Sequence, residues 1–355
     1  MNKTEYHVVG VMSGTSLDGV DLVFTTFTIQ EGLWDYNIHC SKTIAYTKEW
    51  YDVLKHLTSK SIEQLQKIDI AYSEYLAHII QDFIVGNNIT ELDAICSHGH
   101  TALHQPEKGL TYQIGNLPSL YQILKTTIIC NFRVQDVALG GQGAPLVPIG
   151  DKLLFSNYDF CLNLGGFANI STENHEQRVA YDICPVNIVL NHYVSLLGYE
   201  YDDRGKIAST GEIHQELLTQ LNCLGFYKKE PPKSLGLEWV QNNVFPLIEK
   251  FQLPVESILR TFVEHIAIQI SKEINKKQLS NVLVTGGGAY HTFLIQNIQE
   301  KTTNSILIPE KSLVEYKEAL VFGLLGVLKL RGEVNCLSSV TGAKHHHSSG
   351  KIFKH

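Results

Sequence analysis

No stretch of this sequence stays apolar for long. The longest apolar run, ALVFGLLGVL at 319–328, is far short of the roughly 20 residues that a membrane-spanning helix needs. The beginning, MNKTEYHVVGV, has no extended apolar block behind its basic residue, so a soluble, cytoplasmic protein without membrane attachment is expected. A basic block is missing as well. The chain has 29 Lys and Arg against 36 Asp and Glu, a net charge of −7, which argues against nucleic acid as a partner. No Cys-x-x-Cys pair occurs among the seven cysteines at 40, 96, 130, 161, 184, 223 and 336. An odd, scattered set argues against a disulfide frame and a zinc site and points to a reducing compartment. Several of these cysteines sit in strand-like runs such as AICS and IIC, where core packing is their expected role.

What is present is the composition of a folded α/β protein, 44% apolar and 18% charged over 355 residues. That length exceeds one ordinary core and predicts two domains with a cleft between them. Residues 7–12 (HVVGVM) read as a buried strand and 20–29 (VDLVFTTFTI) as a second, alternating one, with Asp18-Gly19 between them as a hairpin signal. A Walker-type loop is excluded because the Lys-Ser/Thr pair and the following helix are missing. What remains is a tight hairpin whose backbone N–H groups and hydroxyls (Ser13, Thr15, Ser16) suit phosphate, with Asp18 or Asp21 near a counter-ion, or else a plain polar turn. The pattern then repeats. DFCLNLGGFANISTE at 159–173 is again strand, glycine turn and alternating strand, followed by RVAYD. Strands are expected at 92–97 and 127–132, and helices at 61–85, 116–125, 186–197, 213–222, 255–277 and 315–331. NVLVTGGGAY runs a strand into a triple glycine that opens a helix, a geometry that admits a nucleotide, although plain loops use it too.

Two α/β halves that each open on a hairpin with a glycine loop suggest two actin-like (ribonuclease H-like) domains. The strings SGTSLDGVD, SHGHTALHQP, FRVQDVALGGQGAPLVP, LNLGGFANIS, AYDICPVN, VTGGGAYH, EALVFG and SSVTGAKHHHSSGKIF, in this order from about residue 8 to 353, resemble the anhydro-N-acetylmuramic acid kinase family. GTSLDG and ALGGQGAPLVP carry most of that resemblance. It implies an enzyme that hydrolyses the 1,6-anhydro bond of anhydro-N-acetylmuramic acid and phosphorylates O6 with ATP and Mg2+, giving N-acetylmuramic acid 6-phosphate in peptidoglycan recycling and amino-sugar catabolism. A homodimer is expected. The first domain is placed at 1–135 with about 333–355, the second at 136–332.

The reaction needs an ATP cradle, a base for water, and groups that hold the sugar. The resemblance assigns the cradle to Gly14, Thr15, Ser16, Leu17, Asp18, Gly19, Val20 and Asp21, with Gly165, Gly166, Gly286, Gly287 and Gly288. It places the base at Asp182, which by itself reads rather as a helix N-cap or first-turn acid ahead of Pro185. Thr101, Arg133, Asn187 and Glu318 fall at sugar-binding positions, the Arg suited to a carboxylate. No protein metal ligand is assigned. The chain departs from the family where Ile183-Cys184-Pro185-Val186-Asn187 replaces TGPGN, His100 a Gln, Leu103 an aromatic residue, and Asn131 an Asp. Met12 and Ser13 stand where many actin-like kinases place an early acid. Of the sixteen histidines, His345–His347 are expected to be solvated, and His98, His100 and His104 to hydrogen-bond rather than bind metal. Three functions stay open: the anhydro-sugar kinase, a kinase of another amino sugar, and a non-catalytic sugar or nucleotide sensor.

Overall fold

A computed structural model describes residues 3–14 and 16–354. The chain divides into two compact units, Met1–Leu154 with Tyr316–His355, and Phe155–Glu315. These boundaries differ from the expected 135/136 and 332/333 because two helices belong with the first sheet. Gly10 lies so close to the helix Lys311–Arg331 that a Cβ there would run into the Ala319 carbonyl, and a Cβ on Gly326 would collide with Cys96 Sγ. Gly150, in the helix Pro148–Leu154, is pressed onto Val321 in the same way.

In the first unit, β1 (Glu5–Ser13), β2 (Val20–Gln30) and β3 (Leu33–Ile44) form an antiparallel meander. β4 (Ala94–Gln105) and β6 (Ile128–Cys130) then run parallel to β1, while β5 (Leu110–Ile114) pairs with β4 and the terminal strand Lys351–Phe353 with β6. The sequence reading left β3 and β5 unassigned. β3 is an edge strand with only half-buried and exposed positions, so its apolar signal is weak. β4 runs on through SHGHTALHQ, eight residues past its expected end, since β1 and β5 satisfy its backbone groups. The helix Ile62–Gly86 covers the sheet and begins at a capping box in which Ser61 and Gln64 satisfy each other's backbone N–H groups.

The second unit repeats the arrangement. β7 (Phe160–Leu164), β8 (Phe167–Asn174) and β9 (Gln177–Pro185) form the meander, and β10 (Asn281–Thr285) and β11 (Ser305–Leu307) add on parallel to β7. In both units the sheet therefore runs third, second and first strand of the meander and then two parallel strands, β4 and β6 in the first unit and β10 and β11 in the second, and the chain has the expected duplicated actin-like architecture. The helix Val255–Ile274 buries Ile258, Leu259, Phe262, Val263, Ile266, Ile270 and Ile274, the helical stripe read from sequence.

Candidate active site

The loop between β1 and β2 spans residues 14–19, because Ser13 pairs with Val20. It is thus a six-residue loop and not the tight Asp-Gly hairpin expected. Leu17 takes a left-handed conformation (φ 63°) that brings its N–H to the Gly14 carbonyl at 3.4 Å. Gly19 leaves no room for a Cβ, which would stand 2.5 Å from the Ile44 carbonyl oxygen, and Val20 is wholly buried. Those three residues shape the loop. Ser16 and Asp18 are exposed, with Ser16 Oγ donating to Asp18 Oδ1 at 2.5 Å, while Asp21 accepts from Thr43 Oγ1 at 2.6 Å. Gly14 has open surroundings apart from Ser16 Oγ. Thr15 lies outside the described residues.

Ser13, grouped by sequence with the exposed hydroxyls, is buried instead. Its Oγ is bonded to His100 Nδ1 (2.7 Å) and to the hydroxyls of Tyr46 (2.5 Å) and Tyr72 (2.9 Å). His100, a departure from the family pattern, thus contacts Ser13 of the SGTSLDGVD string. Burial pushes the His100 imidazole down to about 4, so it is neutral at physiological pH. Tyr46 and Tyr72 carried no signal in the sequence, because only the strand register and the helix Ile62–Gly86 bring them to Ser13.

Gly99, at φ 72°, kinks β4 and turns His98 toward Arg133. The Gly99 carbonyl accepts from His98 Nδ1 (2.7 Å), so Nε2 is the acceptor for Arg133 Nε–H at 2.8 Å. Arg133 Nη1 donates to the Gly143 carbonyl at 2.6 Å. Two anchors fix the guanidinium plane, and Nη2 is left without a bond among the described residues. Glu318 is exposed and within electrostatic reach of Arg133, Lys317 and Asp18, so the first unit gathers Asp18, Arg133 and Glu318 in one neighbourhood. Thr101 follows His100 on β4, opposite Gln113 of β5. Asn131 replaces an Asp at a left-handed position (φ 60°), a conformation both residues tolerate, and Leu103 joins the core around the helix Ile62–Gly86.

In the second unit, Gly165 and Gly166 form the turn between β7 and β8. The Gly166 carbonyl accepts from the backbone N–H of Val186 (2.8 Å) and Ile188 (3.2 Å), and the Gly165 carbonyl from that of Asn187 (3.3 Å). Asn187 therefore opens its helix, Asn187–Ser195, directly over the glycine turn. Val186 is the N-cap and Asp182 is not, which removes the capping alternative for the acid. Asp182 lies in β9 opposite Asn169, next to a bulge at Ile183 that reorients the strand. Its N–H donates to the Lys233 carbonyl (3.1 Å) and its Oδ2 accepts from the Leu235 N–H (2.8 Å), leaving Oδ1 without a hydrogen-bond partner among the described residues. Burial raises its pKa, opposed by that single N–H. The segment 233–235 that holds it had no sequence signal.

The triple glycine follows β10 but opens a short 3-10 turn, Gly287–Tyr290, ahead of the helix Thr292–Gln299. Gly286 has φ 84°, and a Cβ on it would lie 2.6 Å from Asn163 Oδ1 and 2.8 Å from the Leu164 carbonyl oxygen. Gly288 likewise presses on Leu164. A Cβ on Gly287 would meet nothing within 4 Å.

The comparisons agree with one another. The family model for "Anhydro-N-acetylmuramic acid kinase" matches residues 6–355. A protein of that name from Pseudomonas savastanoi pv. phaseolicola is 31% identical across 98% of this chain and 99% of its own length. Another, from Francisella tularensis subsp. novicida, is 32% identical with the same coverage of both. With a duplicated actin-like fold and full-length relatives at this identity, the chain belongs to the anhydro-N-acetylmuramic acid kinase family.

Proposed function

We propose that the chain cleaves the 1,6-anhydro bond of anhydro-N-acetylmuramic acid with water and transfers the γ-phosphoryl group of ATP to the released O6, with Asp182 as the base. The observation that carries the assignment of Asp182 is its setting: a half-buried carboxylate with one oxygen held by Leu235 and the other unbonded, its pKa raised toward the range of a working base. Asp182 takes a proton from water, the water oxygen bonds to the anomeric carbon, and the bond from that carbon to O6 breaks. O6 bonds to the γ-phosphorus as the bond to the β,γ-bridging oxygen breaks, releasing ADP. The proton on Asp182 returns to solvent. Phosphorus takes the place of the acid that would protonate O6 in an ordinary inverting glycosidase, so one carboxylate suffices.

Arg133 Nη2, with the guanidinium plane fixed by His98 and Gly143, is suited to the lactyl carboxylate of the sugar; Thr101 and Glu318 of the same unit, and Asn187 of the second, are the other residues this reading gives to the sugar. Ser16, Asp18, the open Gly14 and Gly287, and the Gly165-Gly166 turn suit the nucleotide. Asp18, an exposed carboxylate in the loop between β1 and β2, is the hard-oxygen group that would hold an Mg2+ retaining most of its waters. Magnesium held there would neutralise phosphate charge. Cytoplasmic location and a homodimer belong to the same reading. Among the described residues no helix is long and apolar enough to cross a membrane.

The test is ADP release with anhydro-N-acetylmuramic acid, N-acetylmuramic acid or N-acetylglucosamine as acceptor. Turnover with the anhydro sugar alone is expected, and equal turnover with either open sugar overturns the reading. A non-transferable ATP analogue with the anhydro sugar should release no free N-acetylmuramic acid. Rapid release would reveal a protein acid acting on O6.

A further inference from the structure

Away from the residues assigned to the reaction, the first unit buries three metal-ligating side chains against one another. Asp136 comes from the helix Val134–Ala138, while Cys336 and His347 face each other across a two-residue antiparallel bridge near the end of the chain. They are 0%, 1% and 5% exposed. Cys336 Sγ lies 3.0 Å and His347 Nε2 3.6 Å from Asp136 Oδ1, and the three donor atoms fall within 4.8 Å of one another. His347, read from sequence as solvated, is the buried member of its triplet, whereas His345 and His346 are exposed.

The hydrogen bonds leave one atom of the ring without a partner. The His345 carbonyl accepts from His347 Nδ1 at 3.1 Å, which leaves Nε2 as the ring atom turned toward Asp136. That atom is buried, makes no hydrogen bond, and faces a carboxylate oxygen at a distance too long for one. A buried ring nitrogen with no hydrogen-bond partner, 3.6 Å from a buried carboxylate oxygen, leaves room for a cation that bonds to both. An Nδ1–H held by a backbone carbonyl, with Nε2 directed at a shared point, is the arrangement of a metal-binding histidine. The carboxylate is supported in the same manner, its Oδ1 accepting from Thr341 Oγ1 (2.7 Å) and its Oδ2 from the Gly143 N–H (2.7 Å).

We infer that Asp136, Cys336 and His347 form a binding site for a divalent late transition ion of the zinc class. One thiolate, one imidazole and one carboxylate are the donor set that such an ion takes. Tetrahedral zinc at ordinary bond lengths separates its donors by about 3.4–3.6 Å, so the 3.6 Å between His347 and Asp136 already fits, and Cys336 Sγ, 3.0 Å from Asp136 Oδ1, must draw back from that oxygen by about half an ångström. On binding, Cys336 gives its thiol proton to solvent and Sγ bonds to the ion, replacing the S–H bond to Asp136. The ion fastens the tail to the helix Val134–Ala138 and, through Asp136 and Gly143, to the loop whose carbonyl anchors Arg133. The expectation of no zinc site, drawn from the missing Cys-x-x-Cys pair, is replaced by a site assembled from residues about 200 positions apart.

Cobalt(II) titrated into the chelator-treated full-length protein tests this. One equivalent should produce the near-ultraviolet thiolate-to-cobalt absorption, zinc should displace it, and C336S and H347Q should each weaken binding at least tenfold. No such absorption in the wild type overturns the inference, and so does an equal absorption in both variants, which would place the ion on another cysteine such as the exposed Cys223. Should a variant not fold, the wild type decides: one equivalent of zinc must raise its Tm, and an unchanged Tm overturns the site.

Discussion

The two units carry the same strand order but spend their first turn differently. In the first, six residues separate β1 from β2 and present side chains, Ser16 and Asp18, with the backbone shaped by Leu17 and Gly19. In the second, two glycines separate β7 from β8 and present backbone, their carbonyls receiving the N–H groups of Val186, Asn187 and Ile188. The acid follows the same division. Asp182 sits beside a bulge on the third strand of the second unit, whereas the third strand of the first unit, β3, is an exposed edge. A duplicated scaffold thus presents side chains at the first turn of one copy and backbone at the first turn of the other, so one topology carries two different surfaces at the same place.

The sharpest way to break that comparison is Asp182→Asn. Turnover should fall by roughly two to four powers of ten, with ATP and sugar binding within a few-fold, because the amide oxygen still accepts from Leu235. Turnover within tenfold of wild type would remove Asp182 as the base. Next in size are the glycines after β10. Gly286→Ala forces a side chain into φ 84° against Asn163 and Leu164 and should cost about 1–3 kcal/mol in thermal or urea unfolding. Gly287→Ala, with open space around it, should leave stability unchanged and raise the KM for ATP. Equal stability of the two variants would mean that the close approach to Leu164 is relieved at little cost.

In the first unit, Asp18→Ala should weaken ATP use by about tenfold, the equivalent of one charge-assisted contact, without lowering Tm. Unchanged kinetics would reduce the loop to a turn. The smallest effect is in pH. Burial raises the pKa of Asp182 in the folded protein, so the fold favours the protonated acid. The stability this group contributes is full below the unfolded value of about 3.9 and is lost as pH rises through the higher folded value. Asp182→Asn should therefore be at least as stable as wild type at pH 7, and the acid limb of kcat/KM in the wild type should lie above 3.9. A limb at or below that value would place the working carboxylate elsewhere.

The strands β1, β2, β7 and β10, the long amphipathic helices and both glycine turns were legible along the chain, because local periodicity and turn chemistry act over a few residues. The motif strings carried the family. Partnership was not legible. Ser13 looked like a phosphate ligand and is held inside by His100, Tyr46 and Tyr72; Asp182 by itself looked like a helix cap, whereas Val186 caps the helix and Leu235 holds the acid; His347 looked like a solvated tail residue and lies buried against Asp136. What the sequence determined by itself is which segments form strands and helices, since each buries its own apolar face by a period written in adjacent residues. What only the tertiary structure decided is which polar atoms meet, since a hydrogen bond or a metal ligand is set by distances between residues that chain order leaves as far apart as 136 and 347.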